Sequence, residues 1–91
     1  MITVHKYQVQ MSAEFAVTLP SGAEFLSVQV QHGEPQMWFR VDTDRPQQAQ
    51  RFCVAGTGHQ IAPELSRLPY LGTFQPSDGA LVFHLFGGVY A

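Results

Sequence analysis

Apolar positions recur at every second residue along most of this chain, rather than every third or fourth, and that period predicts strands almost throughout. In Leu26 to Gln31 the alternation is cleanest: Leu26, Val28 and Val30 face one way, Ser27, Gln29 and Gln31 the other. Ile2 to Val9, rich in β-branched and aromatic residues, and Phe15 to Leu19, alternating large apolar with small or polar groups, also read as strands. His32-Gly33-Glu34-Pro35 reverses the chain into Gln36 to Val41, where Met37, Phe39 and Val41 take the core side and Trp38 and Arg40 share the opposite one. Asp42 to Gln50 has no periodicity and reads as a loop leading to the apolar strand Arg51 to Ala55.

Between Gly58 and Pro69 the pattern breaks. Ala62 to Arg67 can hold one helical turn, with Pro63 near its start. Strand character returns at Tyr70 to Gln75, a turn is expected at Pro76-Ser77-Asp78-Gly79, and Ala80 to Phe86 forms the last strand. That strand is apolar on both sides, so it should be central or covered by a second layer. Six or seven short strands without a helix long enough for a crossover predict an all-β fold, a small antiparallel β-sandwich or partly open barrel. At 91 residues the chain is a single domain, 1–91.

Charge narrows the function classes. Only 13% of residues are charged against 45% hydrophobic, and the net charge is −2. A soluble domain is usually about a quarter charged, so this surface favours self-association and a homo-oligomer is expected. Lys6, Arg40, Arg45, Arg51 and Arg67 form no run, which argues against duplex nucleic acid as a partner. No apolar stretch approaches the roughly 20 residues of a membrane span, and the first residues lack a signal-peptide layout, so a cytoplasmic location is expected. The single cysteine, Cys53, sits in an apolar strand and reads as a buried thiol. His5, His32, His59 and His84 lie in four separate segments, so neither a metal site nor a cofactor is expected. No serine sits in a nucleophile-elbow sequence, and Asp42 and Asp44 fit a solvated turn; no catalytic residue is assigned.

The most informative local run is Val54-Ala55-Gly56-Thr57-Gly58-His59-Gln60, an apolar strand entering two glycines that flank a hydroxyl and precede an imidazole. Glycine permits positive φ and close approach, so this corner is either a tight turn or a cradle aiming amides at one polar ligand. Trp38, Arg40, Arg51, Thr57, Gly58, His59, Tyr70 and His84 together offer a ring to stack, guanidinium groups for a phosphate, and hydroxyl and imidazole hydrogen bonds. Those are nucleotide-like contacts. The plainer alternative puts Trp38 in a minor hydrophobic cluster, the arginines at its rim and His84 in the interior.

The stretches Leu26 to Gln31, Trp38 with Val41-Asp42, Gly56 to His59, Tyr70 to Phe74 and Leu81 to His84 resemble a family of small phage- and prophage-encoded proteins of unknown function. The resemblance implies a viral origin, a stand-alone β domain and a place of action in the host cytoplasm. In that setting the expected role is non-enzymatic: binding and sequestering a small nucleotide-like immune signal, as resembles known phage sponges. The competing class is an interaction module that inhibits a host protein or assists phage assembly. Convergence of Trp38, Arg40, Thr57 and His59 on one concavity discriminates between them.

Overall fold

The chain reverses in two residues at His32-Gly33, where Gln31 of β3 (Glu24–Gln31) pairs with Glu34 of β4 (Glu34–Asp42). Both turn residues have positive φ, 52° and 81°, the requirement of a type I′ hairpin whose twist matches the strands. In this computed structural model residues 1–76 and 80–90 are described, so the turn expected at 76–79 lies, apart from Pro76, outside the described residues. Among the described residues the chain forms seven strands and no helix. The others are β1 (Ile2–Gln8), β2 (Phe15–Pro20), β5 (Gln47–Gly56), β6 (Tyr70–Phe74) and β7 (Phe83–Tyr90).

They build two antiparallel sheets, ordered β1-β4-β3 and β2-β5-β7-β6, packed as a β-sandwich. Met37, Phe39 and Val41 point inward from β4, as their spacing predicts, and Trp38 and Arg40 point outward. Phe39 joins the layers, meeting Phe52 edge-on at 6.1 Å between ring centroids, while Phe25 and Tyr7 pack on it at 5.5 and 5.9 Å. Phe15 stacks on Phe52 at 5.3 Å. Truncating a fully buried ring such as Phe39 costs about 3–5 kcal/mol. The layers approach closely along one side, where β3 meets β6: a Cβ on Gly72 would lie 2.6 Å from Val28 Cγ1.

Three elements differ from the pattern read off the sequence. A bulge between Phe25 and Ser27 resets the phase of β3, so Phe25 enters the core and Leu26 is 44% exposed, while Val28 and Val30 keep the inward side. Gln47 to Gln50 is not loop but the start of β5, paired with Pro20 to Val17 of β2; backbone hydrogen bonding decides there, without an apolar repeat. The last strand begins at Phe83 and continues through Gly87-Gly88 to Tyr90, because the two glycines form a second bulge opposite Arg51 and Phe52, with φ of 139° and 81°. As expected, β7 is central, between β5 and β6.

Residues 57–69 fold over the outer side of the four-stranded sheet. Leu65 is buried there, and Cys53 and Ala55 are buried although they point away from the sandwich core. The anticipated helical turn is one hydrogen-bonded turn, with the Ser66 amide donating to the Ala62 carbonyl at 3.1 Å.

Candidate functional site

Alternation along β4 and β7 sends the candidate side chains to opposite surfaces. Trp38 and Arg40 stand on the outer face of the three-stranded sheet, since Phe39 between them fills the core. His84 stands on the outer face of the four-stranded sheet, since Leu85 beside it is fully buried. The candidate residues therefore divide into two groups and do not share one concavity.

On the first face, Trp38 is flanked across the strands by Lys6 and Ser27, and Arg40 by Val4 and Glu24. Arg40 Nη2 donates to both carboxylate oxygens of Glu24, at 2.6 Å to Oε2, and that carboxylate holds the guanidinium pKa above its ordinary value. Lys6 Nζ donates to Gln31 Oε1 at 2.7 Å, reaching across β4 to β3. Beside Arg40 lies an open hollow of about 350 Å³, lined by Ile2, Gly22, Glu24, Arg40, Val41 and Asp42.

The second face carries a row of hydrogen bonds. Thr57 Oγ1 lies 2.7 Å from His84 Nε2, Thr73 Oγ1 lies 2.9 Å from His84 Nδ1, and Tyr70 OH lies 2.6 Å from Thr73 Oγ1. A neutral imidazole donates through one nitrogen and accepts through the other, so both hydroxyls are compatible with either tautomer. Thr73 is the member sequence reasoning missed. Strict alternation puts Tyr70 and Thr73 on opposite sides of β6, and the bulge between Tyr70 and Gly72 brings them together.

Gly56 to His59 is a tight turn. The Thr57 amide donates to the Val82 carbonyl at 3.1 Å and the His59 amide to the Gly56 carbonyl at 3.0 Å, so neither is free to cradle an anion. Gly58 takes the positive φ, 83°, that a type II turn needs at its third position. Gly56 is required for a different reason: a Cβ there would sit 2.7 Å from His59 Nδ1, because the imidazole lies against the backbone. His59 lines a hollow of about 190 Å³ with Met11, Ser12 and Phe83, separate from the one at Arg40. Arg51 is committed to Glu14, at 2.6 and 3.0 Å to Oε2. Both candidate guanidinium groups thus already hold carboxylates.

Cys53 is buried as expected, and burial, with the Glu14 charge second, pushes its thiol pKa up. It borders a groove of about 420 Å³ under residues 60–65. Among the described residues no cluster of three or more His, Cys, Asp or Glu is arranged to hold a metal ion. No helix among them is long and apolar enough to cross a membrane.

Compared with known families, residues 1–90 match the model of a domain of unknown function, DUF7352. The chain belongs to that family. No curated protein and no solved structure matches this DUF7352 chain.

Proposed function

We propose that this DUF7352 domain is a non-enzymatic binding module that docks a protein partner on the outer face of its three-stranded sheet, with Trp38 as the anchor. The observation that carries this reading is the position of Trp38, on the middle strand and turned outward, with Arg40 two residues away on the same face. Tryptophan and arginine dominate the residues that supply binding energy at protein interfaces. On the same face Arg40 pairs with Glu24, Lys6 with Gln31 and Gln29 with Ser27, which gives the indole a polar rim. The fitting partner is a polypeptide surface with an apolar recess for the indole and backbone groups facing the amides of Gln8, Gln36 and Gln29. In the phage setting that the sequence resemblance implies, that partner is a host protein or a phage assembly component.

Nucleotide sequestration is the competing reading, and it requires Trp38 and Arg40 of one copy to meet Thr57, His59 and His84 of another. One experiment separates the two. Tagged wild type, Trp38→Ala and His84→Ala are recovered from cells that contain the partner, washed and denatured, and both peptides and small molecules in the eluate are identified by mass spectrometry. The expected result is a polypeptide in stoichiometric amount on the wild type and on His84→Ala, lost from Trp38→Ala with the fold intact by circular dichroism. An intact nucleotide released in place of a polypeptide would overturn the proposal.

A further inference from the structure

The four outer strands of the sandwich are not equally protected against pairing with another chain. Native edges are guarded by bulges, short length, proline or charge. β3 is interrupted by its bulge at Leu26, and β6 is five residues long with a bulge at Leu71; these two also face one another along the close side of the sandwich. β2 is six residues and ends in Pro20. β1 has none of these devices: it pairs without interruption over seven residues, Ile2–Gln8, contains neither proline nor glycine, and has β4 as its one strand partner among the described residues. Its single charge, Lys6, stands on the outer face with Gln31 Oε1 as its acceptor and does not cover the backbone groups of the free edge.

From this we infer that β1 is a self-pairing edge, through which two copies of the chain join antiparallel about His5 to form a continuous six-stranded sheet. A two-fold at the middle of the strand sets the register. His5 is the midpoint of Ile2–Gln8, so pairing about it engages all seven residues, with Ile2 opposite Gln8, Thr3 opposite Tyr7 and Val4 opposite Lys6. Side chains on the outer face then meet outer-face side chains, and inner meet inner. The one like-charge clash available to a symmetric pair, Lys6 against Lys6, is avoided. Seven residues span about 24 Å at roughly 3.4 Å each, a narrow contact, so the dimer belongs to the weak, concentration-dependent class. The pairing stands apart from the docking role of Trp38, whose face it doubles.

Sedimentation velocity over a concentration series on the whole chain tests the inference, with each variant checked for its β spectrum. Wild type and Trp38→Ala should both dimerise as concentration rises. Val4→Lys sets two pairs of like charges across the new interface and should weaken dimerisation by about two- to thirtyfold, whereas Val4→Glu sets opposite charges there and should strengthen it by a similar factor. His5→Cys should form a disulfide-linked dimer under mild oxidation, because facing residues about the two-fold lie within the usual 4.4–6.8 Å Cα separation of a disulfide, while Thr3→Cys should not. A wild type that stays monomeric at millimolar concentration overturns the inference, and so does a dimer that ignores the Val4 charge reversal. Cross-linking through Thr3→Cys in preference to His5→Cys overturns the register.

Discussion

Gln50 is the sharpest test of how the interior of this sandwich is held together. It is 3% exposed, points into the space between the sheets in phase with Phe52, and its Oε1 has no hydrogen-bond partner. A buried acceptor left unpaired costs about 1–3 kcal/mol. Gln50→Met keeps the length and approximate volume of the side chain while removing that acceptor, so the packing change costs little. The amide nitrogen is lost as well, which places the expected gain at the low end, about 1 kcal/mol, or a melting temperature roughly 4–8 °C higher for a domain of this size. Thermal melts of the two proteins by circular dichroism, with urea titration at one temperature, read the difference. A variant that melts lower than wild type would refute the reasoning, showing that the carbonyl is satisfied in solution.

Three further outcomes follow from the same geometry. Gly87→Ala should destabilise by about 3 kcal/mol or more, since its φ of 139° excludes a side chain and a Cβ would press on the Arg51 carbonyl and lie 2.7 Å from Phe52 Cα; a urea midpoint equal to wild type would contradict this. The carboxyl of Asp42 is held below its ordinary value of 3.8, first by the Asp44 amide and then by the N-terminal amine, so its contribution to stability is present above that value and lost as pH falls through the lower folded value. Asp42→Asn should accordingly lose less stability than wild type on acidification, read from urea midpoints, and parallel acid limbs would count against it. Cys53 should react slowly with an aromatic disulfide reagent in the folded protein and rapidly once unfolded, because burial both covers the thiol and keeps it protonated; fast labelling without denaturant would show the covering segment 57–69 to be open.

Much of the architecture is legible because strand alternation is a strong local signal wherever one face is buried. Met37, Phe39 and Val41 against Trp38 and Arg40 illustrate it: the residues alone fix which side each takes. What escapes the sequence are the places where an extra residue shifts the phase. Leu26 and Phe25 exchange roles through one bulge, Thr73 joins Tyr70 through another, and Gly87-Gly88 carries β7 onward where paired glycines suggest a stop. Gln47 to Gln50 is invisible for a different reason: its partner, β2, lies about thirty residues earlier, and polar side chains give no hint of that pairing. The candidate site divides on the same ground. Shared faces can be read within one strand, whereas the assignment of β4 and β7 to different sheets depends on contacts between distant segments.

The order of strands also sets a timetable for the nascent chain. The β3–β4 hairpin can zip residue by residue as β4 follows its two-residue turn, but β1 must wait for the whole of β4, with Ile2 pairing to Asp42 forty positions later. At about 5–20 residues per second on the ribosome that wait lasts roughly 2–8 seconds. Throughout the interval residues 2–8 lack the strand that pairs with them in the folded chain. Chaperone capture, or premature pairing with a neighbouring nascent copy, has its opening there.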